Sequence, residues 1–264
     1  MGKTFDELTI TDDFMFCKVM QNERICKRLL NSVLRDKIGE IAHVEYQKTI
    51  REDGFAKWTR MDVWVTDTQG RIFDVEMQTT DADNLAKRMR YYQSQIDILS
   101  LGKATRYEDL PDSFIIFFSP FDYPACSLPV YTFRTYCEEQ RDIFLQDGAI
   151  KIMINSSAAE KEKNEDLRAF MDCMNETESE HPFAKEISQE VINVKENDVY
   201  RAEFFSWNAK AQDLENKGRK EGIKEVTAVY NSLKSEGRDS DAERFMTDES
   251  YRAQVLAERE TVNQ

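Results

Sequence analysis

Histidine is almost absent from this chain: two residues among 264, His43 and His181, stand far apart. Catalysis by Ser-His-Asp or Cys-His arrangements is nearly excluded, and so is a zinc site built on several imidazoles. Cysteine is sparse too. Cys17, Cys26, Cys126, Cys137 and Cys173 are odd in number, widely spaced and form no CxxC pair. A disulfide framework or thiolate zinc site is not expected, and a reducing cytoplasm suits the chain. Hydrophobic runs stay well short of a membrane span, so no membrane partner is expected, and the N-terminal residues do not read as a signal peptide. Positive charge is the last shortage, with 36 Lys and Arg against 50 Asp and Glu leaving a net −14. That balance disfavours non-specific nucleic-acid binding, so any phosphate-binding surface has to be local.

What the chain does have is apolar surface. It is 41% hydrophobic, with 16 Phe and 10 Tyr, enough to build the core of one large domain or of a domain with an appendage. The most informative stretch runs from Arg60 to Gln78. Two segments alternating with period 2 flank Asp67-Thr68-Gln69-Gly70-Arg71, which predicts a β-hairpin with a three-residue loop and Gly70 in the left-handed position. In that register Asp67 faces Arg71, and Asp62 lies opposite Glu76. One face carries Met61, Val63, Val65, Phe73, Val75 and Met77 and is the core side. The other gathers Arg60, Asp62, Trp64, Asp74, Glu76 and Gln78. Like charges directly opposite on neighbouring strands are destabilising, so this pair calls for a proton, a cation or open water. An amphipathic surface ribbon with its acids in water is the plain reading; a divalent metal is the sharp one.

Around the hairpin the spacing predicts further elements. Thr11-Asp12-Asp13 caps a helix that runs to near Gly39 on Phe14, Phe16, Val19, Met20, Leu29, Leu30, Val33 and Leu34. Residues 43–50 read as a strand, 52–54 as a turn. Leu85, Met89, Tyr92, Ile96 and Leu99 recur at helical spacing up to a glycine stop at Gly102. The continuous apolar run 113–118 reads as a buried strand. Strand-like stretches follow at 129–136 and 149–155, the second after the turn Asp147-Gly148. Beyond 156 the texture changes to a solvated link over 158–163, a short helix over 165–175, a charged helical stretch over 182–211, and two short helices after the Gly218–Gly222 segment. No internal repeat of solenoid type is present.

Magnesium takes oxygen ligands, commonly one or two carboxylates completed by waters and phosphate oxygens. A metal so held polarises a scissile phosphate and lowers the pKa of an attacking water. Asp62 and Glu76, with the backbone carbonyl of Met77, supply such a half-shell. Gln78 shares the face and is placed to orient water or phosphate, and Asp74 is a further acid there. Asp13 reads either as a first-turn helix acid or as an additional metal ligand. Lys87, Arg88 and Arg90 read either as phosphate ligands or as a solvated helix face. Tyr92 belongs to its helix's apolar stripe, leaving Tyr91 to point at the site.

The order helix-β-β-β-helix-β, with Asp62 on the second strand and Glu76-Met77-Gln78 on the third, resembles the PD-(D/E)XK nuclease superfamily. More closely it resembles the Rpn branch of recombination-promoting nucleases, also described as transposases. The likeness extends to Asp13-Phe14-Met15-Phe16, to Arg88-Met89-Arg90-Tyr91-Tyr92, and to the approximate match of Gly102, Tyr107, Leu110 and Pro111. It covers roughly residues 10–155 well and the tail more loosely. It implies an α/β (α+β) fold with a restriction-endonuclease-like αβββαβ core and mixed central sheet over 1–155, then a charged helical region over 156–264. It further implies an Mg2+ (or Mn2+)-dependent DNA endonuclease linked to recombination or mobile elements. Asp62, Glu76 and Gln78 would be catalytic, with Asp62, Glu76, Met77 and Asp13 toward the metal and Arg60, Arg88, Arg90 and Tyr91 toward DNA. Self-association through the C-terminal helices is a further expectation. Two departures stand out: Met61 replaces the proline before Asp62, and Gln78 replaces the lysine of E-x-K. A glutamine carries no charge for a pentacovalent phosphate, so that role falls to the metal, Arg60 or Arg88. On this reading Gln78→Lys raises turnover. The competing function is a catalytically silent nuclease fold serving as a binding module.

Overall fold

The structure is a computed structural model that describes residues 3–35, 38–50, 59–80, 84–101 and 106–262. Where the apolar spacing predicts one opening helix the chain forms two, α1 (Asp13–Met20) and α2 (Glu23–Leu34). The break is made by Asn22, whose side-chain oxygen accepts the Ile25 amide at 3.4 Å and so caps a new helix. Then come β1 (Ile41–Ile50), β2 (Thr59–Asp67), β3 (Ile72–Met77), α3 (Leu85–Ser100), β4 (Ser113–Ser119), β5 (Val130–Phe133) and β6 (Ala149–Asn155). The helices α4 (Glu165–Met174), α5 (Pro182–Glu196), α6 (Asp198–Ser235), α7 (Asp239–Thr247) and α8 (Glu249–Val262) complete the chain. The expected turn at 52–54 and glycine stop at 102 lie outside the described residues.

Six strands form one mixed sheet in the order β1-β2-β3-β4-β6-β5. β3, β4 and β6 are parallel, and the remaining neighbours pair antiparallel. The hairpin between β2 and β3 has the expected loop: Asp67 N donates to Arg71 O at 3.1 Å, Gly70 N donates to Asp67 O at 2.9 Å, and Gly70 has φ +80°. Asp67 is its fixed point. Its carboxylate accepts from the amides of Gln69, Arg71 and Gly39 and from Arg71 Nε, all at 2.9–3.1 Å. Burial raises its pKa, but the Arg71 and Gly39 donors outweigh that and hold it below the usual carboxylate value. Asp67→Ala is expected to cost about 2–4 kcal/mol of unfolding free energy, since several donors lose a charged acceptor; urea titration of the two proteins measures it.

Both faces of the sheet are covered. Val63, Val65, Phe73, Val75 and Met77 are buried as expected, and Phe114, Ile116 and Phe118 of β4 stand beside β3 in register with Phe73, Val75 and Met77. Met61, expected on the same face, is buried in the cluster on the opposite one, with Trp64 and Leu85, because the register paired with β3 ends at Val63. Helices α1 and α4 close the first face: Phe118 meets Phe170 at 4.9 Å between ring centroids and Phe16 at 6.4 Å. The opposite face lies under α3, through Leu85, Met89, Tyr92 and Ile96 packed with Trp64, Ile115 and Phe117. Leu99, placed on the same apolar stripe, is half exposed. The acids of the hairpin therefore have a helix over them, and the surface-ribbon reading fails.

The chain divides into two compact units, Met1–Arg201 and Ala202–Gln264. The sequence-based boundary at 155/156 falls inside the first. Residues read as a solvated link form a 3-10 turn, Ser156–Lys161, with Ala158 and Ala159 buried. In the second unit Val229, Leu233, Ala242 and Phe245 make a small core between helices, with Tyr230, Tyr251, Val255 and Leu256 against it. The Gly218–Gly222 segment does not end a helix; α6 runs through it. Among the described residues no helix is long and apolar enough to cross a membrane.

Candidate active site

At the open end of the β2–β3 hairpin the backbone ladder gives way to side chains. Val63 and Val75 are the last paired residues of the ladder, and beyond them the Asp62 and Glu76 side chains take over the contact between the strands. Here the Asp62 amide donates to Glu76 Oε1 at 2.8 Å, and the Met77 amide donates to Asp62 Oδ2 at 3.2 Å. Each carboxylate thus caps the other strand's backbone, which fixes both where plain ladder bonds would leave them free to swing. Cys17 of α1 donates its thiol to the Asp62 carbonyl at 3.3 Å, pinning the same residue from the other side.

From α3 a single guanidinium reaches the pair. Arg88 Nη2 donates to Glu76 Oε2 at 3.1 Å, Nη1 donates to Gln78 Oε1, and Nε donates to the Tyr92 hydroxyl at 3.0 Å. Its flat face lies near the Tyr92 and Phe117 rings, 5.2 and 5.3 Å from their centroids. Gln78 gives its amide nitrogen to the Thr80 carbonyl at 2.7 Å. Both ends of that side chain are spent inside the protein, so it positions Arg88 and is not oriented toward water.

Three carboxyls and one guanidinium do not balance in a dry site. Exposure is 6% for Asp62, 1% for Glu76 and 0% for Asp74. Burial, then the charge of Asp13, lifts Asp62 to about 6 against the pull of the Met77 amide, Arg60 and Arg88. Burial followed by the charges of Asp74 and Asp62 raises Glu76 well above the carboxylate range. Asp74 is raised by burial above all, and neither of its oxygens meets a hydrogen-bond donor among the described residues unless the Glu76 carboxyl lends its proton.

In metal-free buffer this has a consequence of definite sign. The folded protein holds Asp62's proton more tightly than the unfolded chain does, so the stabilising contribution is full below pH 3.8 and lost as pH rises through about 6. The stability of the wild type relative to Asp62→Asn is expected to fall by about 3 kcal/mol across that window. Urea titrations of both proteins at pH 4 and pH 7 measure the difference.

The remaining residues singled out from sequence divide. Arg60 and Asp13 do come to the pocket, 3.8 Å apart as an ion pair, with Asp13 in the first turn of α1 and near enough to raise Asp62. Met77 is joined through its amide. Arg90 is exposed, about 200° around α3 from Arg88. Tyr91 is half-buried against the cluster under α3. Sequence reasoning missed Tyr92 as the anchor of Arg88, Asp74 as the most deeply buried acid, and Cys17 and Thr80 as supports. The Arg88/Tyr92 spacing of i,i+4 was the available signal.

The acids fit a divalent cation in part. Their donors are oxygens, as magnesium or manganese requires, and the orphaned oxygens of Asp74 mark a deficit of positive charge. Among the described residues, though, no three His, Cys, Asp or Glu side chains form a ready cage. A cation here would take one or two carboxylates and fill its shell from water and phosphate. A family model described as PD-(D/E)XK nuclease family transposase matches residues 11–229. No curated protein and no solved structure matches.

Proposed function

The chain belongs to the PD-(D/E)XK nuclease family transposases, and we propose that it is a metal-dependent DNA endonuclease acting at the Asp62–Glu76 pocket. Nucleases of this class typically use divalent metals; we assign Mg2+ or Mn2+, with Asp62, Glu76 and the Met77 carbonyl as its ligands and Asp13 as an outer acid. The observation that carries this reading is the crossed pair. Two carboxylates are fixed by each other's strand amides, under a helix, with pKa values raised by burial and mutual repulsion. Buried acids with perturbed pKa values mark a functional-site candidate, and a divalent cation bound to their ionised forms would relieve their repulsion.

When bound, the cation supplies Lewis-acid polarisation of the phosphate and a more acidic water. The protein's own groups do the rest. Asp62 and Glu76 fix the reacting end of the strand, and the Tyr92 and Phe117 rings beside Arg88 hold its guanidinium in place. Arg88 takes the stabilising role that Gln78 cannot, because it lies against Gln78 Oε1 itself. To meet a phosphate it must turn from Glu76 Oε2, which frees that oxygen for the cation. Arg60 at the mouth, and Arg90 further along α3, are assigned to the DNA backbone; Tyr91 is assigned as a neighbouring support.

The silent-module reading has one observation in its favour. In this state both Glu76 oxygens and both ends of Gln78 are occupied by the protein. Linear and supercoiled DNA incubated with Mg2+, Mn2+ or a chelator separates the two. Cutting only with metal is expected; no cutting under any metal condition favours the silent module, and cutting in excess chelator defeats both. A reducing cytoplasmic setting is part of the proposal, supported by five free cysteines. So is self-association through the helices beyond residue 202, where Ile223 and Met246 are exposed.

A further inference from the structure

On the sheet face opposite the acids, and at the other end of the strands, lies a cavity of about 560 Å³. Its floor is Phe114, Ile150 and Ile152, with Val33 at the side, and its mouth carries three arginines: Arg35, Arg71 and Arg134. The volume falls within the roughly 300–1,000 Å³ of ordinary small-molecule sites, which combine an apolar lining with a few convergent polar groups. We propose that it binds a small anion with an apolar or aromatic body, its acidic head on the guanidinium groups and its body on the floor.

The charges favour this class of ligand. Three guanidiniums gather here on a chain of net charge −14. Arg71 is held rigid by Asp67, with Nη2 2.8 Å from Oδ2, and serves as an oriented wall. Arg35, at the end of α2 in a left-handed conformation (φ 54°), forms an ion pair with buried Glu162 at 3.6 Å while most of its own side chain stays exposed. Arg134 is exposed on the strand edge and has no acidic partner among the described residues. The one acid in the lining, Asp112, lies over the Gly148 backbone: a Cβ built on Gly148 would come 2.4 Å from its Oδ1. The carbonyl end of α2 opposes an anion only weakly beside these groups. Guanidinium forks match carboxylate and phosphate. The floor rejects a bare, strongly hydrated ion because it offers it nothing.

Two sources share this chemistry, a nucleoside monophosphate and a medium-chain carboxylate. Isothermal titration calorimetry in metal-free buffer, with dAMP, decanoate and inorganic phosphate as probes, distinguishes them. Saturable binding of dAMP or decanoate is expected, with inorganic phosphate weaker by about tenfold or more for want of a body. Arg134→Ala should weaken the organic probe about tenfold or more through loss of a charge-assisted contact. Thr132→Trp, at an exposed lining position, should block it without disturbing the core. The proposal is overturned by no saturable binding of either organic probe, by phosphate binding as tightly as they do, or by affinities unchanged in both variants. Binding that falls in Asp62→Asn and not in Arg134→Ala would place the ligand at the acids and overturn it equally.

Discussion

Glu76→Ala and Asp62→Ala are expected to leave DNA uncut under conditions where the wild type cuts it, with rates down about 10³-fold or more. Loss of one carboxylate removes part of the cation's hold and the charge that makes the site take a cation at all, several kcal/mol of barrier in total. The alanine variants also lose a backbone cap, since the Asp62 amide donates to Glu76 Oε1 and the Met77 amide to Asp62 Oδ2. Glu76→Gln and Asp62→Asn keep an oxygen for those amides while removing the charge. Gel assays of all four variants, beside circular dichroism for the fold, separate chemistry from collapse. Full activity in Glu76→Gln would remove Glu76 from the mechanism, because an amide reproduces its hydrogen bonds and not its charge. A metal-induced rise in Tm should follow the same order, large in the wild type and small in Asp62→Asn; the corresponding stabilisation of the wild type is about 3 kcal/mol for metal about 100-fold above its dissociation constant.

Much of this site was legible in the sequence because a strand has period 2. Once Gly70 fixed the loop, the register brought Asp62 and Glu76 together and put Val63, Val65, Phe73, Val75 and Met77 on one face; Met61, beyond the last residue paired with β3, packs with the cluster under α3 instead. What the pattern could not supply was the covering of the other face. Alternation that reads as wet on one side is ambiguous when the polar positions hold Asp62, Asp74, Glu76 and Gln78 beneath a helix. Acids buried this deeply depend on α3 packing over the sheet, which the alternation of a strand does not encode. The double role of Arg88 was hidden for the same reason: its partners come from β3 and from its own helix, and only packing joins them. Asn22 was a local signal outvoted by a hydrophobic stripe that runs on across it. The texture change at 156 reflects exposed charge on α4 and α5, while their inner faces, Phe170 among them, belong to the sheet's core.

Arg88→Met is expected to move metal affinity and cleavage in opposite directions. With Nη2 removed, Glu76 Oε2 loses the cation that now occupies it, so divalent metal should bind more tightly, by about tenfold for one charged hydrogen bond no longer competing. Cleavage should fall about 10²–10³-fold, the range seen when one preorganised donor to a developing negative charge is lost. Metal-free stability should drop by about 2–3 kcal/mol, because Gln78 Oε1 and the Tyr92 hydroxyl lose their donor while Glu76 can still take up a proton. Gln78→Lys tests the same arrangement from the strand. Its ammonium would face the Arg88 guanidinium, so the lysine typical of the wider superfamily should lower turnover here, reversing the expectation drawn from sequence. Converting Arg88 to Gln in that background removes the repulsion and should recover part of the rate. Calorimetry for the metal and single-turnover kinetics for DNA give the two readouts independently. Weaker metal binding in Arg88→Met would mean that Arg88 supports the cation site and does not compete with it. Unchanged cleavage would return the phosphate-stabilising role to Arg60.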